Sequence, residues 1–299
     1  MSSNLKIPSP RVQLALLTIL AGSAIIVGTV VASSILGAHG GDMSADPGRL
    51  KLAQAVSSLI LFGAPALIYA WTTFRQHRLA ELGFRPGVKS AFYWLAILMM
   101  ACAFPMEGWL GMINKSLSLP HWMIQMEHDQ DKQVALILTG KRPIDLITNL
   151  VVIAIIPGFV EELCFRGALQ RVLIQLCKSP WAGIILTGVW FSFSHLEFVG
   201  FLPRTFLGIL LGAIYWYSGS IWTVIIAHIV FNGFQVVVAT GSPEMVTENP
   251  SIPIYWALLS LLLVVGLLAY MRNRSTVTYE KIYHADRTGT HDDFLSDRR

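Results

Sequence analysis

Residues 146–177, LITNLVVIAIIPGFVEELCFRGALQRVLIQLC, decide the fold. The stretch opens on an apolar run of membrane length, since about 20 such residues cross about 30 Å of hydrocarbon. It then places Glu161, Glu162 and Arg166 inside the same helix-forming segment. A charge at the centre of a bilayer costs about 2.5–3.5 kcal/mol on insertion scales, so such residues are functional candidates by default.

The rest of the chain agrees with a lipid solvent. Its 299 residues are 54% hydrophobic and 13% charged, with a mean hydropathy of +0.57, which is outside the soluble range. The expected fold class is all-α, a polytopic membrane protein of about eight transmembrane helices. The spans fall at roughly 12–37, 53–73, 91–113, 144–175, 180–199, 202–218, 220–240 and 253–271. The fourth is the longest and tilts or projects beyond the bilayer. The first follows Lys6 and Arg11, but about 25 apolar residues exceed a cleavable signal's core, so it reads as a retained helix.

Lys and Arg concentrate at the N-terminus, in the 74–90 loop (Arg75, Arg78, Arg85, Lys89), after the fourth span (Arg171, Lys178) and after the eighth (Arg272, Arg274). With eight spans these positions share one side, which puts both termini in the cytoplasm by the positive-inside rule. The net charge of +4 is then topology rather than a sign of nucleic-acid binding. Cys102, Cys164 and Cys177 have no metal-like spacing and read as buried small hydrophobes.

The chain divides into N-terminal transmembrane helices and an interfacial loop (1–142), a core that holds most of the intramembrane polar residues (143–240), a last transmembrane helix (241–272) and a polar, mobile cytoplasmic tail (273–299). The 114–143 segment reads as a surface helix at the non-cytoplasmic interface. Its His121, His128, Asp129 and Asp131 form a solvated face rather than a metal site. Gly208 and Gly212 are a small-xxx-small packing pair.

On a helix, Glu162 and Arg166 are an i,i+4 pair in the favoured order. Glu161 lies about 100° away and is the unpartnered carboxylate of its turn. Pro157 and Gly158 kink the helix and free a carbonyl. Two further i,i+4 pairs follow, Phe191 with His195 and His228 with Asn232, each on one helix face. At about 1.5 Å per residue, Glu161, His195, His228 and Asn232 share one depth. A lone intramembrane His or Asn is interhelical glue more often than a catalyst, but five such groups on three helices make a site. That single depth also argues against an ion path, which would line several depths.

Such a set can activate water. Glu161 and one histidine polarise the water, and the other histidine and the Asn amide donate to the oxyanion formed at a peptide carbonyl. Phe191 is a pocket wall. There is no His-Glu-x-x-His, no Gly-x-Ser-x-Gly and no intramembrane aspartate pair. Cys164 has no base on its face to hold a thiolate.

In order, Glu161-Glu162-x-x-x-Arg166, Phe191-x-x-x-His195 and His228-x-x-x-Asn232 resemble the motifs of the CPBP family, the CAAX-protease and bacteriocin-processing intramembrane proteases, which includes the eukaryotic Ras-converting CAAX endopeptidase. The resemblance covers about 143–240, a third of the chain. It implies an eight-helix endopeptidase with a membrane-embedded cavity. Glu161 would activate water with His195, His228 and Asn232 would hold the oxyanion, and Glu162 with Arg166 would shape the site. No cofactor is expected; zinc on Glu161, His195 and His228 is the alternative, against which Asn232 suits oxyanion binding better. The implied partners are the bilayer and a membrane-anchored or prenylated peptide or protein. The short loops and minimal tail make a prokaryotic plasma membrane the expected location. A non-catalytic peptide-binding or bacteriocin-immunity protein is the competing function.

Overall fold

The computed structural model describes residues 4–37, 46–85, 88–140, 142–241 and 251–288. Helices α1 (Pro10–Gly37), α2 (Pro47–Thr73), α3 (Ser90–Lys115), α4 (His121–Leu138) and α5 (Pro143–Cys177) lead into α6 (Pro180–Ser194), α7 (Phe201–Ser218), α8 (Ile221–Gly241), α9 (Ile254–Arg274) and α10 (Tyr279–Thr288). Among the described residues the only extended pairing is an isolated antiparallel bridge between Leu5 and Phe74. The fold is all-α.

Six helices, α1, α2, α3, α5, α8 and α9, are long and apolar enough to cross a membrane. Their outward faces are apolar: Ile19, Ile26 and Leu262 are 66%, 68% and 69% exposed, a surface suited to lipid rather than water. The spans expected at 180–199 and 202–218 are helices of a different kind. α6 has 15 residues, about 22 Å at the α-helical rise, short of the hydrocarbon thickness. It ends at His195 because Leu196 takes a left-handed φ of 56°, although the sequence stays largely apolar to Leu202. α6 and α7 form a tight antiparallel hairpin, in which a Cβ on Gly188 would lie 2.8 Å from the backbone nitrogen of Ile209.

Helix ends carry local reasons. Asp46 caps α2 by accepting from the Gly48 and Arg49 amides at 3.0 and 3.2 Å, with Pro47 at the first helical position. Gly219 closes α7 at φ 71°, a left-handed stop that glycine takes without steric cost.

α3 packs against α7, α8 and α9. Pro105 interrupts α3, and Ser260 of α9 mends the break. Its hydroxyl donates to Cys102 O at 2.5 Å and accepts from Met106 N at 3.2 Å. One serine thus bridges a single carbonyl–amide pair beside the proline, in an apolar bundle.

The basic segments meet at one end of the bundle. Asn4 Nδ2 donates to Glu81 Oε1 at 2.9 Å, Arg171 pairs with Glu81 at 3.1 Å, and Ser220 Oγ donates to Arg85 O at 3.0 Å. The tail joins them, contrary to the expectation of a mobile polar end. α10 is helical, Tyr283 is buried, and its hydroxyl donates to Arg171 O at 3.1 Å. The remainder of the expected tail, 289–299, lies outside the described residues.

Candidate active site

α5 supplies the acidic residues through an altered winding. It is π-helical over Leu150–Ile155 and again over Leu163–Gln170, on either side of Glu161 and Glu162. Such wide turns cluster at functional sites. Pro157 offers no N–H to the carbonyl four residues earlier, that of Ile153. Asn232 Nδ2 donates to that carbonyl at 3.4 Å, so the freed acceptor is taken by the neighbouring helix. Gly158 lets α8 come close: a Cβ there would sit 2.8 Å from Ile229 Cγ1 and 3.2 Å from its backbone nitrogen.

The expected pairing of Glu162 with Arg166 is present and fully buried. Arg166 Nη1 donates to Glu162 Oε1 at 2.8 Å. Arg166 also donates from Nη2 to Gly208 O at 3.0 Å, and its guanidinium lies 4.8 Å from the Phe191 ring centre. One turn on, Gln170 Nε2 donates to Gly212 O at 3.0 Å. The glycine pair therefore does more than pack helices: it leaves backbone carbonyls open to side chains of α5.

The two histidines converge on Glu161. His195 Nε2 lies 3.8 Å and His228 Nε2 4.0 Å from Glu161 Oε2. Each ring is fixed by its other nitrogen. His195 Nδ1 is 2.8 Å from Phe191 O, and a carbonyl only accepts, so Nδ1 carries the proton there. His228 Nδ1 is 2.7 Å from Glu162 Oε1, which likewise assigns its proton to Nδ1. The Phe191 ring neighbours both imidazoles, with its centroid 4.9 Å from that of His195 and 6.0 Å from that of His228.

Glu161, Glu162, Arg166, Phe191 and His228 are buried, while the His195 side chain is 22% exposed and Asn232 half-buried. The structure brings Glu161, Glu162, Arg166, Phe191, His195 and His228 into one cluster. Asn232 is one turn along α8 from His228, with its amide directed to Ile153 O.

A tetrahedral zinc with ligands at about 2.0–2.2 Å needs donor atoms about 3.4 Å apart. The spacings of 3.8 and 4.0 Å from Glu161 to the two histidines are wider, and no group of three His, Cys, Asp or Glu among the described residues is arranged to hold a metal. The donor set suits zinc in kind and does not fit it in spacing.

Sequence reasoning missed four residues around the cluster. Glu107 of α3 and Arg204 of α7 are charges within apolar runs, the same signal that singled out Glu161, and both are within electrostatic reach of each other. Asn114 and Glu127 bond the turn after His195. Their signal is absent from the sequence, because it depends on which turn α3 and α4 reach.

Residues 143–234 match the family model described as Type II CAAX prenyl endopeptidase Rce1-like. No curated protein and no solved structure matches the chain. Every member of the cluster, from Glu161 to His228, and Asn232 beside it lie within the matched residues. Over residues 143–234, about a third of the chain, the protein is thus similar to the Rce1-like type II CAAX prenyl endopeptidases, in agreement with the resemblance of its motifs to the CAAX proteases.

Proposed function

We propose that this protein is an intramembrane endopeptidase that hydrolyses a peptide bond of a prenylated, membrane-anchored substrate of the CAAX type, with Glu161 as the base. The observation that carries the proposal is the convergence of His195 Nε2 and His228 Nε2 on Glu161 Oε2 at 3.8 and 4.0 Å. Those distances are too long for direct hydrogen bonds, and one water oxygen can touch all three atoms.

Glu161 takes a proton from that water, with the bare Nε2 of His195 as second acceptor. The hydroxide adds to the scissile carbonyl carbon. Asn232 turns its amide N–H to the resulting oxyanion, and His228 is a second donor to that oxygen only as the imidazolium, with a proton taken up from solvent on Nε2 and the Glu162 carboxylate as counter-ion at Nδ1. Glu161 then returns its proton to the leaving amine as the C–N bond breaks, so water is divided between the two products. Glu162 holds His228 throughout. No step calls on a metal.

The family match and the lipid-suited outer faces support a multi-pass membrane location. The gathering of Arg85, Arg171 and the N-terminal segment at one end supports a cytoplasmic orientation for that end, and a prokaryotic plasma membrane is the proposed setting.

The experiment is cleavage of a quenched-fluorescent prenylated CAAX peptide and its unprenylated twin by the purified protein in detergent. The expected result is cleavage of the prenylated peptide, lost in Glu161→Gln and retained after treatment with a zinc chelator. Wild-type rates in a folded Glu161→Gln variant would remove Glu161 from the mechanism. Loss of activity on chelation, restored by zinc, would replace it with a metal-assisted one. Binding without cleavage would favour the non-catalytic peptide-binding reading.

A further inference from the structure

The turn that follows His195 is bonded by side chains from four helices. Asn114, at the end of α3 and 1% exposed, donates from Nδ2 to Phe198 O at 2.8 Å and accepts from Leu202 N at 2.7 Å. Glu127 of α4 accepts from Val199 N at 2.6 Å. One turn further, Gln130 Nε2 reaches His195 O at 3.4 Å. Arg204 of α7 donates to Glu197 O at 2.9 Å and pairs with the Glu197 carboxylate. Ser192 of α6 donates to Phe201 O at 2.8 Å, and the rings of Trp122 and Phe198 meet edge-on at 5.6 Å.

Satisfying backbone groups in an apolar bundle is a structural need, and a lone bond of this kind would carry nothing more. Here the bonded turn begins at His195 and passes at once through Leu196, whose φ of 56° is left-handed. A bulky residue keeps such a conformation only where its surroundings over-determine it. The His195 backbone is therefore set by the turn, and with it the direction of a ring whose Nε2 must stay beside Glu161. Four of the bonds come from outside the matched segment, two from Asn114 on α3 and one each from Glu127 and Gln130 on α4.

We propose that Asn114 and Glu127 are positioning residues for the hydrolysis, holding the His195–Leu202 turn so that His195 faces Glu161. The proposal rests on the protease reading above. It gives α4 a role beyond that of a surface helix: its acidic face carries the carboxylate that fixes a catalytic turn.

The test uses the full chain in detergent, with Asn114→Leu, Glu127→Ala and Glu127→Gln. The glutamine retains an oxygen that can accept from Val199 N. Misplacement of a catalytic group by about 1 Å can cost about 100-fold, so Asn114→Leu and Glu127→Ala are expected to lower kcat by roughly 10- to 100-fold, with KM changed less than about threefold. Glu127→Gln should stay within about threefold of wild type. A second readout needs no turnover: the imidazole nitrogen and carbon resonances of His195 in histidine-labelled protein, assigned with His195→Gln. They are expected to move in Asn114→Leu and Glu127→Ala and to stay in Glu127→Gln. Should Asn114→Leu fail to fold, the two Glu127 variants carry the comparison.

Folded variants with an unmoved His195 resonance, or a loss confined to KM, would overturn the positioning role and leave these bonds purely structural. If the wild-type protein releases no product from either peptide, the protease reading fails, and the resonances still decide whether these residues aim His195.

Discussion

Glu162 Oε1 accepts from both Arg166 Nη1 and His228 Nδ1, so one carboxylate oxygen joins an ion pair within α5 to an imidazole on α8. The i,i+4 spacing made the first contact legible, because both partners lie on one helix. The second depends on the register between α5 and α8, which no spacing within a single helix encodes. Removing Arg166 strands a buried carboxylate. Arg166→Met should therefore destabilise the fold by about 3–5 kcal/mol, read as a lower denaturation midpoint in detergent. Arg166→Lys should recover little, because an ammonium lacks the planar fork that reaches both Glu162 and Gly208 O. Asn232 poses a separate question, since its amide meets Ile153 O at 3.4 Å and also stands beside the cluster. As an oxyanion donor, its loss in Asn232→Ala should lower kcat by about 10²–10³. A variant that melts earlier but cleaves at the wild-type rate would show that the amide serves the Pro157 break alone.

At the scale of elements, hydropathy found the long spans and misjudged α6. The sequence stays largely apolar from Phe191 to Leu202, so composition alone extends the helix through a turn. What ends it is the left-handed Leu196 and a set of polar side chains from α3, α4 and α7 that satisfy the turn's backbone. The glycine pair was legible as packing, and the structure gives each glycine carbonyl a further partner on α5. The close approach of α6 and α7 predicts a sharp contrast between two alanine substitutions. A Cβ on Gly208 would lie 2.9 Å from Gly188 Cα, whereas one on Gly22 meets nothing within 4 Å. Gly208→Ala should force the hairpin apart, shift the carbonyl that Arg166 uses, and cost about 1–3 kcal/mol as overpacking does, with cleavage reduced. Gly22→Ala, in the middle of α1, should retain wild-type cleavage and a midpoint no lower than wild type. Equal behaviour of the two in denaturation and cleavage would contradict the close packing of α6 on α7.

Across the whole molecule, the site lies within one bundle of α5, α6, α7 and α8, and the chain's two described ends meet elsewhere. The tail's docking had a sequence signal after all, because Tyr279, Ile282 and Tyr283 are spaced i, i+3, i+4. A high polar content around them hid it. Tyr283 is 5% exposed and donates to Arg171 O, while Arg171 pairs with Glu81 and Glu81 accepts from Asn4. The tail, α5, the loop after α2 and the N-terminal segment are thereby linked in series. Tyr283→Phe keeps the ring and removes one neutral hydrogen bond, which should cost about 0.5–1.5 kcal/mol. Truncation after Ser275 also exposes the surface that Tyr283 covers and should cost more, by about 1.5–3 kcal/mol for a buried large side chain. Arg171 is ten residues beyond Glu161 on α5, about 15 Å along the helix, so kcat for the prenylated peptide should be unchanged in both variants at temperatures well below their midpoints. Denaturant titration and initial rates on the same preparations separate the two effects. A fall in kcat for Tyr283→Phe at full folding would instead mean that the docked tail sets the position of α5 at Glu161, and that stability and catalysis share one path through the long helix.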